Sequence, residues 1–341
     1  MLRPLSHLLV TPLAILLATS LATGCAARSQ ETAPVVAPTP PAGALSVLTE
    51  PDQGVAPIYA LLASAKHSID LAMYELVDPQ AVSVLKAAAA RGVVVRVILD
   101  ANREKAANQA AFDDLSTHGV HVTWATARYA ATHEKCVVID NSVAAVMSLN
   151  LTARYYSDTR DFAVLDRQPQ DVRAVEATFD ADFKHHKTTP SNGADLVWSP
   201  GAEEVFLSLI DSAANTLLVE NEEMALPAAT SALERAARRG VHVTVVMTRQ
   251  DDWAPDFDKL TKAGVVVRTY SPSADLYIHA KAIVADDGTS RQKAFVGSQN
   301  FSAASLNHNR ELGLLTADPT VVSALARTIK SDAAGAAPWS P

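Results

Sequence analysis

The run Tyr277-Ile278-His279-Ala280-Lys281-Ala282-Ile283-Val284-Ala285-Asp286, followed by Gly297-Ser298-Gln299-Asn300, surrounds one histidine and one lysine with apolar and small residues and has no helical period. It reads as a single strand ending near Asp286. Side chains alternate faces along a strand, so His279 and Lys281 share one face while Ala280, Ala282 and Val284 take the other. Asp286 has the wrong parity to join His279. Ala294 to Asn300 reads as a neighbouring strand with Ser298 and Asn300 on one face, and Asp287-Gly288-Thr289-Ser290 supplies the turn between them. Such a hairpin presents an imidazole, an ammonium, a hydroxyl and an amide together. That set suits a phosphate: Lys, Ser and Asn bind its oxygens, and His attacks phosphorus or moves a proton.

The same constellation stands earlier, as Thr132-His133-Glu134-Lys135 through Asp140, then Met147-Ser148-Leu149-Asn150. His133 to His279, Lys135 to Lys281 and Asp140 to Asp286 are each 146 positions apart; Ser148 to Ser298 and Asn150 to Asn300 are 150 apart. A lone His and Lys on one strand face are ordinary surface residues. Two sets at one repeat distance are not an ordinary surface. The pattern HxK, four residues, Asp, then GSxN, present twice, resembles the phospholipase D superfamily in its two-repeat form.

Other correspondences extend the duplication. Ser64-Ala65 through Glu75 matches Ser212-Ala213 through Glu223, and Arg91-Gly92-Val93 matches Arg239-Gly240-Val241, both at 148. Phe112 and Gly119 match Phe257 and Gly264 at 145. A repeat of this size with alternating helical and strand patterns predicts an α/β fold. Two pseudo-twofold-related repeats are expected, each a mixed β-sheet flanked by helices, over 45–190 and 191–335.

Residues 1–24 read as an export signal: Arg3, an apolar run from Leu8 to Leu21, then small residues. Leu21-Ala22-Thr23-Gly24-Cys25 resembles a bacterial lipobox, which makes Cys25 the expected lipidated N-terminus. Residues 25–44, with Pro38-Thr39-Pro40-Pro41, read as an extended tether. The net charge of −8 argues against broad nucleic-acid binding, which needs Lys and Arg to neutralise phosphates. Two cysteines, Cys25 and Cys136, exclude a disulfide framework. Cys136 lies opposite His133 and Lys135 and reads as a buried thiol; His118, His121 and the pair His185-His186 read as loop and helix-end residues.

The resemblance implies a metal-independent, cofactor-free, monomeric phosphodiesterase built on His133, Lys135, Asp140, His279, Lys281 and Asp286, with Ser148, Asn150, Ser298 and Asn300 binding substrate. It suggests His133 as nucleophile and His279 as acid/base, a choice the residues themselves leave open. Asp140 and Asp286 belong to the motif, yet their parity predicts structural or indirect roles. Asp161, in Thr159-Arg160-Asp161, and Glu311, in Asn309-Arg310-Glu311, correspond at 150 and are implied to orient a histidine. Asp161 is a methylene shorter than the usual Glu, and Met147 stands where the motif has Gly. The leading expectation is an envelope-anchored phospholipase D hydrolysing phospholipid head groups. The alternatives are a nuclease, a cardiolipin synthase-like phosphatidyltransferase, and a non-catalytic anchored binding protein.

Overall fold

Pro79 and Pro319 open helices whose caps are already written beside them: Asp78 accepts from the Gln80 N–H, and Asp318 from Thr320 and Val321. Gly92 and Gly240, at φ of 88° and 91°, close the corresponding helices of the two halves where a side chain would be strained. The computed structural model describes residues 43–340. The expected export signal, Cys25 and nearly all of the tether lie outside the described residues.

The first half runs β1 (Leu45–Glu50), α1 (Ala56–Ala63), β2 (Ser68–Met73), α2 (Pro79–Ala90), β3 (Val94–Leu99), α3 (Lys105–Ser116), β4 (His121–Trp124), β5 (Cys136–Ile139), β6 (Val143–Met147), β7 (Thr159–Asp166) and α4 (Pro169–Phe183). The second runs β8 (Leu196–Ser199), α5 (Glu203–Ser212), β9 (Thr216–Glu220), α6 (Pro227–Arg238), β10 (His242–Thr248), α7 (Ala254–Lys262) and β11 (Val266–Tyr270). It continues with β12 (Tyr277–Ile278), β13 (Ala282–Ala285), β14 (Lys293–Gly297), α8 (Ala303–Asn307), β15 (Glu311–Thr316), α9 (Pro319–Gly335) and β16 (Ala337–Pro338). The sheet orders are β1-β7-β6-β5-β2-β3-β4, with β12 added to β7, and β16-β11-β10-β9-β13-β14-β15-β8. Both sheets are mixed, so the expected α/β architecture of two repeats is the one observed.

The apolar cores follow from the strands' two buried faces. One core lies under α1 to α3 and another under α5 to α7. Between the sheets, Cys136, Val138 and Val146 meet α4 and Trp198, while Phe162 and Val164 meet Ile278, Val284 and α9. Cys136 is buried, and burial raises its thiol well above the ordinary value. It behaves as a packed apolar side chain.

One strand expectation is corrected. The run 277–286 is two strands, broken at His279–Lys281. β12 pairs in parallel with β7 of the first half, whereas β13 pairs with β9 and β14 of the second. The chain changes sheet at the His-x-Lys step. The first half does likewise: Thr132 bridges Arg310, and β5 begins only at Cys136. Neighbouring sheets, which a local pattern does not report, impose the break.

Candidate active site

The sheet change brings each histidine beside the other half's acid. Parallel pairing of Ile278 with Arg160 sets His279 next to Asp161, and the Thr132–Arg310 bridge sets His133 next to Glu311. The backbone N–H of His133 donates to the Arg310 carbonyl at 2.9 Å, and that of His279 to the Arg160 carbonyl at 3.2 Å. His133 Nδ1 then lies 2.8 Å from Glu311 Oε2, and His279 Nδ1 lies 2.8 Å from Asp161 Oδ1. A nitrogen facing a carboxylate carries the proton, which leaves each Nε2 to face the cleft. The shorter Asp161 has the reach its strand pairing requires.

The two acids are held differently. Asp161 accepts the Ser148 hydroxyl at 2.5 Å; Glu311 accepts those of Ser305 at 2.6 Å and the Asn309 amide at 3.0 Å. Burial opposes ionisation of Glu311, but His133 and Lys135 outweigh it and hold its carboxyl below the usual range.

His133, His279, Asn150 and Asn300 line one cleft of about 560 Å³. Lys135 and Lys281 lie beneath it, fully buried. Both turn back to the carbonyl of their own histidine, Lys135 at 2.6 Å. The side-chain carbonyls of Asn150 and Asn300 are buried without a hydrogen-bond partner.

Two groups of expected site residues are elsewhere. Ser148 and Ser298 are buried and do not line the cleft. β6 and β14 end at Met147 and Gly297, so the strand alternation that aligned each serine with its asparagine stops first. Each hydroxyl instead clamps the strand carrying the acid, accepting from Phe162 N–H at 2.9 Å or Leu312 N–H at 3.2 Å. Asp140 and Asp286 sit at the far end of their strands, about 16 Å of extended chain from the lysines, at φ of 50° and 54°. Asp140 accepts the N–H groups of Lys66, His67 and Ser68; Asp286 accepts those of Ala214, Asn215 and Thr216. Burial would raise both carboxyls, but these amides outweigh it and hold them low. Grouping them with the catalytic set is corrected: each ties the motif hairpin to the turn before β2 or β9.

Met147 is resolved by its neighbours. A Cβ on Gly297 would lie 2.4 Å from Gly313 Cα, and one on Gly313 would lie 2.4 Å from the Phe295 ring. The first half places Met147 against Ala163 and has Ala145 where the second has Phe295. Gly313 therefore makes room for Phe295 and Gly297 for the close-lying Gly313 backbone; with Ala163 and Ala145 in place of Gly313 and Phe295, the first half packs a methionine.

Sequence reading missed two features. Arg160 forms a two-pronged pair with Asp332 at 2.6 and 2.9 Å, and Arg310 lies 2.8 Å from Asp182. Each arginine precedes a histidine-orienting acid and reaches the long helix of the other half; the 150-residue spacing of Asp182 and Asp332 was the available signal. The other feature is an unlike pair. Tyr74 packs edge-on against His133 with centroids 4.5 Å apart, and Lys135 Nζ stands 4.7 Å over its ring. At the equivalent position Glu222 puts Oε2 3.0 Å from Lys281 Nζ and 3.5 Å from His279 Nε2.

Electrostatics follow that difference. Burial lowers the His133 imidazole below its ordinary value, partly offset by Glu311. Burial likewise brings Lys135 down to about 7. Glu222 is the reverse case: burial would raise it, but Lys281, His279 and His133 hold it well below the carboxylate range. Among the described residues, no group of three or more His, Cys, Asp and Glu is disposed to hold a metal ion.

A family model described as "Cardiolipin synthase, PLD-like domain" matches residues 58–183 and 206–333. Cardiolipin synthase B of Salmonella typhi is 26% identical over 327 residues, covering 81% of this chain and 77% of the relative. The major cardiolipin synthase ClsA of Bacillus subtilis is 25% identical, covering 72% and 58%. The crystal structure of phosphatidylserine synthase from Haemophilus influenzae superposes with a TM-score of 0.70 at 12% identity, covering 88% of each chain, a likeness of fold.

Proposed function

Since the chain belongs to the phospholipase D superfamily through both of its repeats, we propose that it is a phosphatidyltransferase that passes a phosphatidyl group to an alcohol, as in cardiolipin synthesis. The relatives named cardiolipin synthases favour transfer over hydrolysis. The observation that carries the chemistry is the crossed pair of histidines, each backed by the other half's acid on one cleft. Acids on the cleft wall, among them Glu75, Asp158 and Glu223, disfavour a polyanionic nucleic acid.

His133, kept neutral by burial, attacks phosphorus through Nε2. The bond from phosphorus to the leaving alcohol breaks, and His279 gives that oxygen its Nε2 proton. Glu311 stabilises the positive charge on the phosphorylated imidazole. His279 then takes the proton of an acceptor alcohol, whose oxygen attacks phosphorus; the N–P bond breaks and His133 is regenerated. Lys135, Lys281 and the asparagine amides supply charge and donors to the phosphoryl oxygens. The enzyme works outside the cytoplasm, held at a membrane by lipid on Cys25, with phospholipid as substrate. Among the described residues no helix is long and apolar enough to cross a membrane.

Purified full-length protein in micelles of labelled phosphatidylglycerol tests this reading. A product with two phosphatidyl groups on one glycerol is expected. Phosphatidate as the sole product identifies hydrolysis, and cleavage of single-stranded DNA without lipid turnover overturns the lipid reading. Mass spectrometry of the mature N-terminus tests the anchor: an unmodified start at another residue rejects it.

A further inference from the structure

Four hydrogen-bond donors of the second half converge on one carboxylate. Glu222 Oε2 receives Lys281 Nζ at 3.0 Å and lies 3.5 Å from His279 Nε2 and 3.4 Å from Asn300 Nδ2; Tyr277 OH donates to its Oε1 at 3.3 Å. Lys281, His279 and Asn300 are the donors that a phosphoryl oxygen needs. In the first half the matching residue is Tyr74, an uncharged ring, and among the described residues no carboxylate hydrogen-bonds to Lys135 Nζ or Asn150.

We propose that Glu222 is a resident anion, seated on the second half's phosphate donors, and that a phosphodiester enters only by displacing it. The inference rests on the phosphodiester reading of the cleft. Two anions on one set of donors repel at close range in a half-buried site, so occupancy is exclusive. The glutamate side chain is one-quarter exposed, at 25%, and borders the cleft, so it has space to swing aside. Protonation is not the release route, because Lys281 and the histidines keep this carboxyl ionised. A singly charged diester exchanges with it charge for charge, and Lys281 is never left buried and unpaired. Glu222 thereby sets the affinity threshold of the site: it admits anions that bring further contacts from the cleft and holds off those that do not.

The probe is inorganic phosphate, titrated by calorimetry into the full chain and into Glu222→Gln and Glu222→Ala. If the carboxylate leaves the donors about a tenth of the time, apparent affinity is reduced about tenfold. Both variants are therefore expected to bind phosphate on the order of tenfold more tightly, with a parallel fall in KM for lipid. Two substitutions of different size guard against a folding defect in one, and thermal melting identifies it. Unchanged or weaker phosphate binding by a folded variant overturns the inference while lipid turnover keeps the transferase reading standing. Loss of turnover at unchanged phosphate affinity also overturns it and makes Glu222 a proton-handling group. Phosphate bound by no form, with no lipid turnover, overturns both.

Discussion

Lys135 and Lys281 occupy equivalent places under one cleft and meet unlike neighbours. Lys281 pairs with the Glu222 carboxylate; Lys135 stands over the Tyr74 ring. The histidines above them differ in the same sense. His279 has a carboxylate at each ring nitrogen, Asp161 on Nδ1 and Glu222 near Nε2, whereas His133 has Glu311 on Nδ1 and a tyrosine edge beside the ring. A duplicated scaffold thus keeps its backbone register while single substitutions give the two imidazoles unlike surroundings, a carboxylate beside one and a tyrosine ring beside the other. The difference fits the proposed roles of His133 as nucleophile and His279 as proton donor.

Replacing each histidine breaks the comparison most severely. His133→Ala is expected to abolish turnover and to form no phosphoenzyme. His279→Ala is expected to lose roughly 10²–10⁴-fold, yet with a good leaving group it should load His133 and accumulate the intermediate. Single-turnover labelling and peptide mapping read this directly. Label on residue 279 in His133→Ala, with none on 133 in the reverse variant, exchanges the roles.

The crossed arginine pairs come next. Asp332→Asn strips a two-pronged partner from buried Arg160 and should cost about 3–5 kcal/mol. Asp182→Asn should cost less, because its contacts to Arg310 are longer, 2.8 and 3.2 Å, and Arg310 keeps the Tyr129 hydroxyl and ring, whereas Arg160 keeps the Glu50 carbonyl and the exposed Asp52. Urea unfolding of both variants decides; equal, small losses would remove the asymmetry.

Gly297→Ala forces a Cβ against Gly313 and should destabilise by about 1–3 kcal/mol with little effect on kcat. A fall in kcat at unchanged stability would mean that the glycine serves the substrate after all.

The smallest effect expected is in the pH profile. Lys135 must be cationic to bind phosphate, so kcat/KM should fall as pH rises through about 7. Because bound phosphate supports the ammonium, kcat itself should hold to higher pH. The same lysine binds fewer protons folded than unfolded between about 7 and its ordinary 10.5, so its contribution to stability rises with pH across that window. An alkaline limb of kcat/KM above pH 9 would sink this assignment.

Much of this was legible in the chain. The constant spacing of about 150 residues exposed two α/β repeats; Asp140 and Asp286 do lie away from the histidines, but the length of β5 and β13, not the parity of one unbroken strand, puts them there. Parity failed at Ser148 and Ser298 because their strands stop one residue earlier. The sheet change at His279–Lys281 was hidden, since a run of apolar residues does not say which sheet lies beside it. Tyr74 and Glu222 were hidden for the opposite reason: the repeat comparison finds what the halves share, and these positions differ. Arg160 and Arg310 stood inside the quoted triads, but their partners are 172 and 128 residues away.

His133 and Glu311 are separated by 178 positions. A polypeptide made amino-end first therefore presents His133 long before the acid that orients it, and neither half alone contains a complete histidine–acid couple. Reactivity is withheld until almost the whole chain has arrived and both sheets have exchanged their edges. A fragment clipped between the two repeats keeps one histidine and one acid but no couple between them.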